Sequence, residues 1–159
     1  MRLGNVGKLI ISIVLCELAG VVGSVFTSPS IPTWYASLQK PSFNPPNWLF
    51  APVWIILFGL MGVSAYLVWS KGLESKGVKA ALFIFIIQLV LNMLWSIIFF
   101  GLHSIFYGFV IIIVLWITIA LTIIAFVRIS KKAGALLLPY ILWVSFASVL
   151  NYYIWLLNP

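Results

Sequence analysis

The sequence predicts an all-α integral membrane protein, a bundle of five transmembrane helices with a long proline- and aromatic-rich loop between the first two. Three observations carry that expectation. Hydrophobic residues make up 64% of the chain and charged residues 7%, against roughly a quarter charged in soluble domains. The apolar residues fall in five long runs, and 159 residues at about 20 per span leave room for five helices and short connections. Six of the eight prolines lie between Pro29 and Pro52, interleaved with Trp34, Tyr35, Phe43 and Trp48.

Span one is expected from about Leu9 to Phe26. Arg2 and Lys8 ahead of an apolar run have the form of a signal peptide. Glu17 in mid-run argues against a cleaved segment, and Leu15 is too large for a typical lipoprotein site at Cys16. The run is therefore read as a retained span. Gly20 and Ser24, with Gly23 beside them, form a small-residue face suited to close helix approach. From Pro29 to Pro52 each proline fixes its own φ and biases its predecessor toward extended backbone, so a long regular helix is not expected there. The aromatics in this loop seek burial, so the loop is read as the cap of a cavity.

Span two is expected over about 50–69, with Pro52 in its first turn, where proline is tolerated. Span three, about 80–100, carries Gln88, Asn92, Trp95, Ser96 and Phe99 on one helical face. Amides facing lipid would be costly, so this face points into the bundle. The short turn Gly101-Leu102-His103-Ser104 makes spans three and four antiparallel neighbours. Span four, about 105–127, is rich in Ile and Val and, apart from Trp116, Thr118 and Thr122, reads as lipid-facing. Span five, about 135–157, has Pro139 in its first turns. Tyr140, Trp143, Ala147, Asn151, Trp155 and Asn158 lie along one of its stripes, a second polar-aromatic face to meet the first.

Charge gives the topology. Eight of the nine Lys and Arg residues (Arg2, Lys8, Lys71, Lys76, Lys79, Arg128, Lys131 and Lys132) fall on one side of a five-span arrangement, and Lys40 alone on the other. The positive-inside rule then places the N-terminus in the cytoplasm, with the first loop and the C-terminus extracytoplasmic. The net charge of +7 is explained by this topology, so no nucleic-acid partner is expected.

Hydrolytic, metal and pump chemistry lack their residues. The chain has no aspartate, two glutamates, one histidine and one cysteine. A triad needs a carboxylate to orient its histidine, and His103 sits in a loop far from Glu17 and Glu74. A metal site needs clustered ligands. Proton-coupled transport usually leaves several intramembrane ionisable groups, and only Glu17 is present. What remains is a set of indoles and amides suited to a large, flat, mostly apolar ligand.

These residues admit two readings. Trp69 and Trp155 fit interfacial belts, whereas Trp54, Trp95 and Trp143 fit a belt or a cavity wall equally. Asn92 and Asn151 serve either a ligand or a neighbouring helix. Glu17 is either a functional carboxylate or a protonated group satisfied locally. Lys40 either marks the membrane surface or draws an anionic ligand to the lid.

Three motifs resemble a known family. The first is Trp34-Tyr35-x-x-Leu38-x-Lys40-Pro41-x-Phe43-x-Pro45-Pro46, followed by Pro52-x-Trp54. The second is Gln88-Leu89-x-Leu91-Asn92-x-x-Trp95 with Phe99-Phe100. The third is Pro139-Tyr140-x-x-Trp143-x-x-Phe146-Ala147 with Leu150-Asn151. In this order they resemble the TspO/translocator proteins, also called tryptophan-rich sensory proteins or peripheral benzodiazepine receptors.

The resemblance implies a five-helix bundle, commonly a homodimer. It implies binding of porphyrins such as protoporphyrin IX and haem, of some sterols, and of isoquinoline ligands, with no further cofactor and no metal. The pocket would be lined by Tyr35, Trp54, Phe58, Asn92, Trp95, Trp143, Ala147 and Leu150, serving tetrapyrrole sensing, sequestration or transport. Light-dependent oxidative degradation of protoporphyrin IX is a second implied activity, and in it Trp54 and Trp143 would be the catalytic residues. A small transporter or a structural partner of other membrane proteins is a third reading. The sterol-recognition pattern of animal relatives is incomplete here. Leu150 and Tyr152 or Tyr153 are present, but residues 155–159 supply no basic residue, and the pattern is weak even when intact. The charge bias fits a prokaryotic cell membrane.

Overall fold

A computed structural model describes residues 4–159, so Arg2, counted in the topology, lies outside the described residues. Among these residues the regular structure is entirely helical. The helices are α1 (Asn5–Ser30), α2 (Phe50–Trp69), α3 (Val78–Ser96), α4 (Ile105–Val127), α5 (Lys131–Leu136) and α6 (Leu138–Leu157). With their flanking turns they give five segments long and apolar enough to cross a membrane, Asn5–Tyr35, Asn47–Trp69, Val78–Gly101, Ile105–Val127 and Lys131–Leu157. This is a multi-pass membrane protein built as a five-helix bundle.

Span one is longer than its sequence pattern suggests. The helix runs through Pro29 and continues as a π-helical turn over Ile31–Tyr35. Proline removes a backbone donor and crowds the carbonyl four residues earlier. Widening the next turn to i→i+5 bonding accommodates that demand, and both prolines stand on the exposed side. Irregular backbone is thus confined to about residues 38–46, and Trp34 and Tyr35 belong to the helix end.

Span five departs in the opposite sense. It begins at Lys131, where Ser130 Oγ accepts from Ala133 N at 3.3 Å, and breaks at Leu137 between α5 and α6. Pro139 has no N–H to continue the ladder and its ring would clash with the carbonyl of residue 135, so the break falls just before it. The predicted start at residue 135 missed the first turn. Span three ends in a second π-helical turn, Ile97–Gly101.

Around the bundle α1 packs on α2 and α3, α3 on α4, α4 on α6, and α5 on α2. Glycines allow the closest approaches. A Cβ on Gly62 would lie 2.5 Å from Ile13 Cα, so α2 crosses α1 backbone to backbone. The core runs the length of the bundle through Met61, Leu115, Ile119, Phe126 and Tyr140, all fully buried. Large apolar side chains on the outer surface, such as Phe83 and Leu142, face what would be acyl chains.

The first loop, the turn at 102–104 and the C-terminus gather at one end. Gln39 N donates to Asn158 Oδ1 at 3.0 Å and Asn158 Nδ2 donates to Gln39 O at 2.9 Å, tying loop to C-terminus. His103 adopts φ 53° in its tight turn and stacks on Trp34 with ring centroids 4.5 Å apart. At the other end the Lys8 ammonium sits 5.8 Å from the Trp69 ring.

Candidate functional site

The two faces expected to meet do so. Tyr140 OH on α6 donates to Gln88 Oε1 at 2.9 Å and accepts from Asn92 Nδ2 at 2.9 Å. One turn nearer the loop end, Trp95 Nε1 donates to Asn151 Oδ1 at 3.2 Å, and Asn151 Nδ2 donates to Ile105 O at 3.1 Å. All five polar side chains are buried. In a low-dielectric interior an unpaired amide is costly, and these bonds satisfy most of the polarity that spans three and five carry. Gln88 Nε2 alone among the described buried side-chain atoms has no partner.

A cavity of about 270 Å³ lies beside this network, between α1, α2 and α3. Aromatic side chains form much of its wall: Trp54 and Phe58 from α2, Trp95 and Phe100 from span three. Trp54 lies 5.6 Å from Phe58 and 6.3 Å from Trp95, centroid to centroid. Asn92 contributes the amide that also bonds Tyr140. The α1 wall is a stripe of small and polar residues: Glu17, Gly20, Gly23, Ser24, Thr27 and Ser28. Gly20 is required there because a Cβ would meet the Phe58 ring at 2.6 Å. Val21 and Ile55, 57% and 61% exposed, stand at the rim, so the cavity opens sideways between α1 and α2.

The loop above is held by Lys40. Its ammonium donates to the carbonyls of Tyr35, Ala36 and Leu38 at 2.7, 3.2 and 2.8 Å and lies 5.1 Å from the Tyr35 ring. A cation on the last carbonyls of a helix is favourable both as hydrogen bond and as charge. Of the two roles considered for Lys40, its contacts describe a third: it caps span one from the loop.

A model of the TspO/MBR family matches residues 12–156. The chain belongs to the TspO/MBR family. It is 49% identical over 151 residues to the tryptophan-rich protein TspO of Chlorobaculum tepidum, covering 95% of this chain and 96% of that one. It is 48% identical over 155 residues to the tryptophan-rich protein TspO of Archaeoglobus fulgidus, with 97% and 99% covered. With the human translocator protein it shares 40% identity over 141 residues, 87% of this chain and 83% of that protein. The family resemblance read from the three motifs therefore holds along the bundle.

Against the family's expected pocket, the eight residues divide. Trp54, Phe58, Asn92 and Trp95 line the cavity together. Tyr35 is buried above it, its hydroxyl donating to Asn44 Oδ1 at 2.6 Å and its ring edge-on to Phe50 and Phe99. Trp143 is half-buried on α6, packed against Phe50 and Phe146 at 6.2 and 5.5 Å, and does not reach the cavity wall. Ala147 and Leu150 are buried in the α6 face and are likewise outside that wall. The α1 stripe was missed as a wall. Its signal in sequence was the recurrence of Glu17, Gly20, Ser24 and Thr27 at steps of three and four.

Proposed function

We propose that this chain binds porphyrin-type ligands, protoporphyrin IX or haem, and related flat hydrophobic molecules, for tetrapyrrole sensing, sequestration or transport. One observation carries the reading: Trp54, Phe58 and Trp95 line a common cavity that Asn92 shares. Aromatic walls with few, placed polar groups suit flat apolar ligands. The sideways opening between α1 and α2 lets part of a large macrocycle extend beyond the enclosed volume toward the lipid. Sterol-like and isoquinoline ligands share that flat apolar character and are proposed as weaker alternatives. By the same charge argument as in the sequence, the protein sits in the cell membrane with its N-terminus cytoplasmic and the loop end extracytoplasmic, and it functions as a homodimer.

The test is titration of protoporphyrin IX into the purified protein, read by tryptophan fluorescence. Saturable quenching that weakens at least severalfold in the Trp54→Phe, Trp95→Phe double variant is expected. Quenching that does not saturate, or that the double variant leaves unchanged once its lost emission is subtracted, would remove the cavity from the account.

A further inference from the structure

Glu17 is the one acidic residue within the five spans. It lines the cavity, and no cation or hydrogen-bond donor among the described residues reaches its carboxylate. It faces Gly59 on α2, where a Cβ would make ordinary contact at 3.6 Å from Glu17 Oε1. The neighbouring wall offers acceptors rather than donors. Ser24 Oγ donates to Val21 O at 2.8 Å and Thr27 Oγ1 to Gly23 O at 3.1 Å, so both hydroxyl protons are committed to α1 itself. Trp95 and Asn92 likewise direct N–H groups at Asn151 and Tyr140. The lining donors without a protein acceptor, the Trp54 indole and the Ser28 and Ser96 hydroxyls, lie toward the loop end. From Glu17 to Ser28 the stripe extends about 16 Å along α1 at 1.5 Å per residue.

A cavity with a lone carboxylate at the end away from the loop and spare donors at the loop end is polarised. We propose that Glu17 is a ligand-binding residue that receives a protonated amine, and that the cavity thereby takes a second ligand class: flat aromatic amines that seat the ring against the wall formed by Trp54, Phe58 and Trp95 and the ammonium against Glu17. Removed from water, an isolated carboxylate is costly, whereas one paired and hydrogen-bonded is tolerated. A ligand ammonium supplies what the protein withholds. A ligand carboxylate at the same depth would meet like charge.

The inference uses the cavity but not its occupancy by porphyrin, and the experiment separates the two. The protein is placed in phosphatidylcholine nanodiscs and titrated with 1-pyrenemethylamine, 1-methylpyrene and 1-pyrenecarboxylate, each read by energy transfer from tryptophan. The amine is expected to bind at least about tenfold more tightly than the methyl compound, the size of one charge-assisted hydrogen bond, and the carboxylate more weakly than either. Glu17→Gln, similar in shape, should abolish the amine's advantage and leave 1-methylpyrene unchanged. Glu17→Asp should keep part of it. An amine preference that survives Glu17→Gln comes from the bilayer and overturns the proposal, as does an amine that binds no better than the methyl compound. Protoporphyrin IX quenching retained in Glu17→Gln, alongside either of those results, sinks this inference and leaves the porphyrin reading standing.

Discussion

Removing one hydroxyl tests whether the interhelical network carries the fold around the cavity. Tyr140 is fully buried and its OH serves two partners on span three, accepting from Asn92 Nδ2 and donating to Gln88 Oε1, both at 2.9 Å. Tyr140→Phe keeps the ring and its packing but strands an N–H and a C=O. In a soluble core each stranded group costs about 1–3 kcal/mol. In membrane proteins interhelical hydrogen bonds average about 0.6 kcal/mol and reach about 1.7, because the unfolded chain in the bilayer also finds partners. The membrane value governs here, so two lost bonds predict a loss of about 1–3 kcal/mol. Gln88 Nε2 already lacks a partner, so its amide has no second bond in place to soften the loss.

The assay is reversible unfolding of the purified protein in mixed micelles with sodium dodecyl sulfate, followed by circular dichroism. Tyr140→Phe should unfold at a lower detergent fraction with the same amplitude. Adding Gln88→Leu and Asn92→Leu should recover part of the loss, since replacing every partner with apolar groups of similar size is close to neutral. A Tyr140→Phe protein indistinguishable from the parent, or a triple variant weaker than the single, would refute the claim that these bonds join spans three and five.

Three further outcomes follow from single contacts. Gly62→Ala drives a methyl to within 2.5 Å of Ile13 Cα, a backbone atom that cannot rotate away, and should cost about 1–3 kcal/mol. Gly59→Ala meets only ordinary contact at 3.6 Å and should melt near wild type; equal melting of the two would show that α1 and α2 do not cross at Gly62. Asn158→Ala removes both bonds to Gln39, so hydrogen exchange should speed up across residues 36–46 and stay unchanged in the spans. Exchange unaltered in the loop would mean the C-terminus does not restrain it. Lys40→Met loses three carbonyl bonds and should raise proteolysis within the loop severalfold, whereas Lys40→Arg, which keeps the charge, should restore part of the protection; a Met variant as resistant as the parent would deny the cap.

Much of the architecture was legible because polarity is scarce. Gln88, Asn92 and Trp95 could share a face only by looking inward, and Tyr140 and Asn151 had to meet something, so spacing predicts that the two faces meet, while the partner of each residue depends on how the helices are set against each other. The bounds of span four fall where its Ile and Val run predicts, but the run read as lipid-facing is only partly so. Ile112, Leu115, Ile119 and Phe126 are buried against spans three and five, because one stripe of an all-apolar helix is indistinguishable in sequence from its lipid face. The end of span one does not fall where expected, because proline reads as a stop and nothing in Pro29-Ser30-Ile31-Pro32 announces a π turn. A tertiary bond lies beside that geometry: Ser30 Oγ donates to Phe100 O at 2.7 Å, joining the irregular ends of spans one and three. The position of the cavity was also hidden. Its α1 wall is made of glycine and small hydroxyl residues, whose meaning depends on the ring that stands opposite, as Phe58 does at Gly20.

For the amides and indoles, helix glue and ligand wall were set out as alternatives, yet the geometry makes the first a condition of the second. Trp95 has its indole N–H fixed to Asn151 and its ring stacked on Phe99 at 5.7 Å and 16°, while the same residue borders the cavity. An indole tied by its N–H to span five and stacked on Phe99 is held in one orientation beside the cavity. Asn92, tied to Tyr140, is held on the wall in the same way. A polar side chain left free in such a wall would turn to any available acceptor and close the space. Bonding it across the bundle keeps the hollow open and its surface aromatic. Glu17 differs from Trp95 and Asn92 in charge as well as in freedom: among the described residues no donor or cation holds its carboxylate, so a ligand that reaches it meets an unpaired acid.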